Sequence, residues 1–212
     1  MAEDHDSRHN LTMHWVTVEQ LKLPVCIGGH AALDFCNTRT GWGESAERQW
    51  EWLRSYDHLA LWAWHAGLIA EHDAVRLRRS AARDSASATA VLTDARRLRR
   101  GLRTAVLEPE NGRAIGTVTG YLRKAAQRER LRPGRMPHRE IPASTGLELP
   151  LLIVAKAAGD FLTSDDIAHV HACHGDGCTW LFIDRIGWRR WCSMSACGNR
   201  EKARAYAKRH RR

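Results

Sequence analysis

The sequence predicts a mainly α-helical protein: a helical domain with a small β-hairpin, followed by a compact cysteine-rich module. Three observations lead to this fold class. Alanine, leucine and arginine recur at helical spacing through the middle of the chain, while four of the six cysteines and most of the net charge of +9 lie in the last fifth of its 212 residues. We therefore expect a flexible lead-in over residues 1–20, a helical domain over 21–166 and the cysteine-rich module over 167–212.

The helical domain is expected to begin with short elements. A short helix is predicted over residues 31–36, between paired glycines and a loop with further glycines. Residues 47–66 carry four tryptophans at amphipathic spacing, which predicts one helix or two short ones, the second running over 56–65 with Ser55 as its cap. We assign these tryptophans to the core.

Longer helices and a loop region follow. Apolar residues at spacings of three and four predict helices over 73–82, 88–107 and 111–127 that pack as a bundle. Four prolines between residues 133 and 150 indicate loops, in which 139–141 and 146–149 are expected to pair as the small hairpin. A last helix of this domain is predicted over 151–162.

Four cysteines near the C-terminus have the spacing of a metal site. Their pattern is Cys173-x4-Cys178-x13-Cys192-x4-Cys197, two equal pairs separated by enough chain for a hairpin. Clustered thiols in a chain whose start is not signal-like indicate metal rather than disulfides. Four thiolates complete the tetrahedral shell of one structural zinc ion per chain, and they leave no open position for a catalytic water. His171 and His174 are alternative ligands.

The residues around these cysteines predict a treble-clef-like zinc finger, a β-hairpin plus a helix. Residues 180–184 and 189–192 are expected to be the two strands of the hairpin. A helix is expected after Cys197, so the last thiolate lies near the positive end of a helix dipole. A core of this size is too small to fold alone, and bound metal is expected to supply much of the folding free energy.

The positive charge of the module favours a polyanionic partner. DNA contacts, to base edges and to phosphates, are expected from Arg189, Arg190, Asn199, Arg200, Lys202, Arg204, Lys208 and Arg209. An alternative interpretation is that these charges only offset the negative charge of a zinc tetrathiolate.

A polar cluster near the start of the helical domain is a second candidate site. A small effector could bind at Gly29, His30, Asp34, Asn37 and Thr38, because glycines let a backbone approach a ligand closely. Helix-capping roles for Asp34 and Asn37 and a core role for His30 are the favoured explanation of the same residues. An enzyme site over Gly28–Thr38 is a further alternative, but the cluster has no nucleophile motif, and we predict that the protein is not an enzyme.

These motifs resemble the CGNR zinc-finger family, named for the tetrapeptide found here as Cys197-Gly-Asn-Arg200. The resemblance includes Trp180-Leu-Phe-Ile-Asp, Arg189-Arg-Trp-Cys-Ser-Met and Lys202-Ala-Arg. Upstream, Gly28-Gly-His-x-Ala-Leu-Asp-x-x-Asn-Thr and Tyr56-Asp-x-Leu-x-x-Trp-Ala resemble the companion region called ABATE, named for a stress-induced transcription regulator. The turn Asp184-Arg-Ile-Gly-Trp188 departs from the CGNR pattern, being shorter and lacking a serine two positions after the aspartate.

The resemblance implies a bacterial transcription regulator whose helical domain senses a signal or dimerises and whose zinc finger binds DNA. The expected partners are therefore DNA, a small-molecule effector and a second copy of the chain. No membrane partner is expected, since no apolar run is long enough to span a bilayer, and the expected location is the cytoplasm. A protein-interaction module, or a redox sensor that releases zinc when its thiolates oxidise, is the alternative function.

Overall fold

The structure, a computed structural model, describes residues 14–210. In this range the helices are α1 (Ala31–Cys36), α2 (Tyr56–His65), α3 (Glu71–Arg83), α4 (Ser85–Leu107), α5 (Gly112–Arg128), α6 (Leu149–Leu162) and α7 (Asn199–Arg209). Short strands pair antiparallel in twos: β1 (Trp15–Val18) with β2 (Leu21–Pro24), β3 (Arg39–Thr40) with β4 (Trp50–Glu51), β5 (Arg130–Arg132) with β6 (His138–Glu140), and β7 (Val170–Ala172) with β8 (Leu181–Ile183). The predicted fold class, mainly helical with small hairpins and a C-terminal finger, is confirmed.

The chain enters the fold through the β1–β2 hairpin. Glu19 and Gln20 form its turn, both with positive φ (42° and 67°), which is the backbone twist that a two-residue hairpin turn requires. A flexible lead-in was predicted over residues 1–20. Its first 13 residues lie outside the described range, whereas residues 15–18 are paired in β1. Leu23 in β2 is fully buried, so this hairpin is anchored in the core.

The core lies between the two short helices and the bundle. Phe35 of α1 packs against Trp62 of α2 at a ring-centroid distance of 5.2 Å, and both side chains are fully buried. Helices α1 and α2 have the predicted bounds. Ser55 precedes α2 as expected, but its hydroxyl bonds the ring of His58 at 2.8 Å rather than a backbone N–H.

Helices α4 and α5 pack together as predicted and form a bundle with α6, whereas α3, which was also expected in this bundle, packs mainly against α2. Two glycines set the spacing of the bundle. A Cβ added to Gly101 in α4 would lie 2.8 Å from Thr117 of α5, and one added to Gly159 in α6 would lie 2.6 Å from Leu122 of α5. Both distances are well below van der Waals contact. Helix α5 therefore approaches both neighbours more closely than any side chain at these positions would allow.

One buried cation ties α4 to the loop that follows α1. Arg99 is 1% exposed and donates to the carbonyl oxygen of Thr38 (3.1 Å), to its hydroxyl (2.8 Å) and, through two nitrogens, to the carboxylate of Glu51. A buried guanidinium is tolerated when its donors are used in this way. The β3–β4 region is thereby fixed against the bundle.

The hairpin predicted between residues 139–141 and 146–149 is wrong. Strand β6 pairs instead with β5, across a turn that contains Pro133 and Pro137. Residues 143–148 form a 3-10 helix in which Gly146 adopts a φ of 71°, and the hydroxyl of Tyr56 donates to the Leu147 carbonyl at 2.7 Å. The apolar residues of this segment pack into the core, so they are not free to pair with the exposed β6.

No helix within residues 14–210 is long and apolar enough to cross a membrane.

Candidate metal centre and nucleic-acid interface

Strand β8 organises the cysteine-rich module, but its partner differs from the predicted one. It pairs with β7, and the bond from the Cys173 N–H to the Trp180 carbonyl (2.9 Å) extends the ladder. The other edge of β8 is occupied too, since the Ile183 N–H donates to the Gly28 carbonyl at 2.9 Å. Residues 189–192 therefore cannot pair there, and the expected strand 189–192 does not form.

The four predicted cysteines converge beside this ladder. The sulfur atoms of Cys178 and Cys192 lie 3.8 Å apart, and those of Cys192 and Cys197 lie 3.5 Å apart. The Cys173 thiol interacts with all three and accepts hydrogen bonds from two backbone N–H groups, of Gly175 (3.4 Å) and Cys192 (3.2 Å). Since Zn–S bonds of about 2.3 Å place tetrahedral sulfurs about 3.8 Å apart, this donor set fits a zinc ion.

Sequence analysis missed one residue of this cluster, His14. Its Nε2 lies 3.2 Å from the Cys192 sulfur and 3.4 Å from the Cys197 sulfur, and the ligand atoms of His14, Cys178, Cys192 and Cys197 all lie within 4.8 Å of one another. Within residues 14–210, the alternative ligands His171 and His174 are exposed and do not belong to this group. No local pattern around residue 14 could have identified it.

The crowding of the thiols changes their acidity. Hydrogen bonds from neighbouring thiols, from Cys173 first, lower the pKa of Cys197, and a hydrogen bond with Cys178 is the main cause that lowers the pKa of Cys173 to about 7. An Nη2–H of Arg200 also reaches the Cys197 sulfur at 3.3 Å. Hydrogen bonding with Cys173 is also the main cause that raises the pKa values of Cys178 and Cys192. The thiolate, which is the form that metals bind, is therefore favoured first at Cys197 and Cys173.

A π-helical turn over Met194–Gly198 leads from the cluster into α7. The packing explains the glycine that follows the last cysteine. A Cβ added to Gly198 would lie 2.7 Å from the sulfur of Met194 and 3.1 Å from the ring of Trp191. A side chain at position 198 would therefore displace Met194 and Trp191 from the start of α7.

Two family models match the chain. The family described as "Putative stress-induced transcription regulator" (ABATE) matches residues 29–165, and the CGNR zinc finger matches residues 169–210. The chain belongs to the ABATE family. The order of the two matches confirms the resemblance seen in the motifs, and neither family description names an enzyme. No curated protein matches the chain.

In the CGNR finger, three of the predicted DNA-contacting arginines are bonded within the protein. Arg200 donates to the Asp176 carbonyl (3.3 Å) as well as to the Cys197 sulfur. Arg204 donates to the carboxylate of Asp176 at 3.0 Å. Arg189 lies over the ring of Phe182. It donates to the Trp191 carbonyl within the finger at 3.0 Å and to the Ile27 carbonyl of the preceding domain at 3.1 Å. These arginines position the finger's own segments.

The other predicted DNA-contacting residues lie at the surface. Asn199, Lys202, Lys208 and Arg209 are exposed along α7, as is Arg190, whose guanidinium lies 5.4 Å from the ring of Trp191. For Lys202, Lys208 and Arg209 the structure shows no hydrogen bond or ion pair to another residue of the range 14–210. Asn199, Lys202, Tyr206 and Arg209 recur at spacings of three and four, which places them on one face of the helix.

The polar cluster of the ABATE domain has partners inside the fold. The His30 Nδ1 accepts the Ala32 N–H (3.1 Å) as the cap of α1, and its ring stacks on Phe161; Gly29 precedes it with a φ of 87°. Asp34 accepts the Gly28 N–H at 2.7 Å. Burial raises the pKa of Asp34 to about 6, although two backbone N–H groups and the charge of Arg189 oppose that shift. Thr38 is engaged by Arg99 and donates to the Phe35 carbonyl at 2.6 Å.

Asn37 joins the two matched regions. Its side-chain amide donates to the Leu181 carbonyl (2.9 Å) and accepts the Leu181 N–H (2.8 Å), so it takes the place of a neighbouring strand beside β8. Both residues are fully buried, and Leu181 belongs to the core of the ABATE domain. Further along, Arg103 donates to the Thr179 carbonyl at 2.7 Å. The predicted effector cluster is thus built into the junction between domain and finger.

Proposed function

We propose that the protein is a zinc-dependent, DNA-binding transcription regulator in which the CGNR finger contacts DNA. The observation that carries this proposal is the placement of α7: its first turn starts at the thiol cluster, and its exposed face carries Asn199, Lys202 and Arg209. A single structural zinc, bound by Cys173, Cys178, Cys192 and Cys197, would fix the start of that helix. The family description of the ABATE region supports regulation of transcription.

The contacts divide the basic residues into two groups. Arg189, Arg200 and Arg204 hold the finger together, and their removal should weaken DNA binding only through the geometry of the module. Lys202, Lys208, Arg209 and Arg190 are available for phosphates, and Asn199 offers the amide pair that suits the edge of adenine. Chelation of zinc releases the start of α7 and should abolish selective binding.

The test is fluorescence anisotropy with the zinc-loaded protein, a pool of genomic fragments and a series of salt concentrations. The double variant Lys202→Ala, Arg209→Ala removes two exposed cations of α7 and should lower the slope of log K against log salt by about 2. A matched control, Arg97→Ala, Arg100→Ala, removes two exposed cations of α4. Equal losses in both variants, or no binding beyond weak charge attraction, would refute the proposal.

An open cavity in the ABATE domain is a second candidate site for the effector. An open cavity of about 690 Å³ lies between the α2–α3 connection, the β5–β6 hairpin and α6. Ile69 and Leu149 contribute buried apolar wall, and Arg130, Arg132 and Lys156 line its rim. This combination suits an organic anion with an apolar part. Arg130 and Arg132 are paired with Glu140, and Lys156 with Glu129, so an anionic ligand would compete with these carboxylates. Thermal shifts with a panel of aromatic carboxylates, compared between the natural chain and Arg132→Ala, Lys156→Ala, test this location against the cluster at Gly29–Thr38.

The remaining parts of the proposal concern assembly and location. We propose that the regulator acts in the cytoplasm and that the ABATE domain senses its signal or forms a homodimer. Sedimentation equilibrium of the zinc-loaded protein, with and without DNA, measures the oligomeric state directly.

A further inference from the structure

His14 lies outside both family matches, yet it is buried at the metal centre. The residue is 3% exposed, its ring meets Trp180 edge-on at 4.7 Å, and its carbonyl accepts the Val25 N–H at 2.9 Å. His14 therefore lies at the open end of the β1–β2 hairpin, opposite its turn. Apart from the two sulfurs of Cys192 and Cys197, the structure shows no hydrogen-bond partner for its Nε2 within the described chain.

Five side chains crowd a centre at which zinc takes four ligands. Cys173 has the environment of a ligand, because two backbone N–H groups stabilise negative charge on its sulfur. The distances from His14 to the two sulfurs suit N–H···S hydrogen bonds. Among residues 14–210, Cys192 receives no N–H donor other than His14, whereas Cys197 also receives Arg200. An imidazole donor thus completes the set of groups that face the thiolates.

We propose that His14 donates its Nε2–H to the thiolates of Cys192 and Cys197 in the zinc-loaded protein, and that zinc occupancy and docking of the β1–β2 hairpin are thereby coupled. The inference rests on the zinc centre of the proposed function but not on DNA binding. A buried tetrathiolate carries net negative charge, and hydrogen-bond donors around it lower the cost of that charge. Because coupling is reciprocal, the hairpin strengthens zinc binding and zinc holds the hairpin.

The first test measures zinc affinity by competition with a chromophoric chelator. Loss of an outer-sphere partner typically weakens metal binding 10–100-fold, so His14→Ala should lose affinity within about that range. His14→Gln keeps an N–H donor and should recover part of the loss. The matched control is His171→Ala, which removes an exposed histidine of the same finger that does not reach the thiols. Equal affinities of His14→Ala and His171→Ala would overturn the proposal.

A second test separates a hydrogen-bond donor from a direct ligand. With cobalt(II) in place of zinc, the natural chain and His14→Ala should give the same four-thiolate absorption spectrum, and Cys173→Ala should change it. A spectrum that changes in His14→Ala but persists in Cys173→Ala would make His14 the ligand and overturn the inference. Nitrogen-15 spectra of the zinc-loaded protein should show a protonated Nε2 for His14.

The coupling itself is measured by hydrogen exchange of the zinc-saturated protein. His14→Ala should lose protection in β1 and β2 while the amide of Leu181 in β8 stays protected, because the finger remains folded around its metal. Unchanged protection of the hairpin in this variant would refute the coupling. If the natural chain binds no zinc at all, the proposed function fails together with this inference. If it binds zinc and the variants behave alike, only the inference fails.

Discussion

Replacing Asn37 tests whether domain and finger form one folding unit. Asn37→Ala leaves the N–H and carbonyl of Leu181 buried without their partners, which lie at 2.8 and 2.9 Å in the natural chain. An unsatisfied buried polar group costs about 1–3 kcal/mol, so two of them should lower the free energy of unfolding by about 4 kcal/mol. For a chain of this size the melting temperature should then fall by roughly 8–16 °C.

The assay is thermal unfolding of the zinc-saturated protein by circular dichroism, with Asn111→Ala as control. Asn111 is also a hydrogen-bonded asparagine, but it caps the start of α5, where its Oδ1 accepts the Ala114 N–H at 3.1 Å. Loss of that cap should cost only about 1 kcal/mol. If Asn37→Ala is no more destabilising than Asn111→Ala, the amide of Asn37 does not hold β8 in place, and the junction described above is not what joins the finger to the domain.

Three further predictions concern the stability of the ABATE domain. Arg99→Met should destabilise the protein by about 3–5 kcal/mol in urea unfolding, because it leaves the carboxylate of Glu51 without its buried partner; a loss below 1 kcal/mol would contradict this. Because burial raises the pKa of Asp34 to about 6, folding takes up a proton at this carboxyl near pH 5, and the contribution of Asp34 to stability should fall as the pH rises from 4 to 7. Asp34→Asn cannot ionise, so its stability relative to the natural chain at the same pH should rise by about 2 kcal/mol over that range, whereas a constant difference between the two chains would refute the shift. Gly41→Ala should destabilise far more than Gly43→Ala in the same assay, since both have positive φ but only a Cβ at Gly41 would collide with the backbone carbonyl of Arg48.

Local signals predicted the elements whose causes are local. Helices α1 and α2 begin and end where predicted because glycines and polar residues mark their ends, and the bundle helices differ from prediction by only a few residues at their ends because their apolar stripes are long. The cysteine spacing identified thiols that the structure brings together. The partner of β8 could not be predicted in the same way, because Gly28 and Asn37, far away in sequence, occupy the edge at which residues 189–192 were expected.

The functional residues also divide into those that local sequence signals identify and those whose roles depend on distant contacts. Sequence gives the charge of α7, but it does not show that Asp176, across the finger, binds Arg48 of the helical domain at 2.6 Å and Arg204 of α7 at 3.0 Å. Two arginines that were predicted for DNA, Arg200 and Arg204, are thus engaged near Asp176. His14 has no signal at all in its own neighbourhood, since its position at the thiols depends on contacts between the two ends of the chain.

The Asn37–Leu181 contact also limits when the chain can finish folding during its synthesis. Its two residues are 144 positions apart, and the contact between His14 and Cys197 spans 183. At about 5–20 residues per second, a ribosome needs about 7–30 s to add the chain between Asn37 and Leu181. During that time the place of Leu181 in the core stays open, and the nascent helices expose an apolar surface. A chaperone that binds such surfaces would therefore meet this chain while the residues between Asn37 and Leu181 are being made.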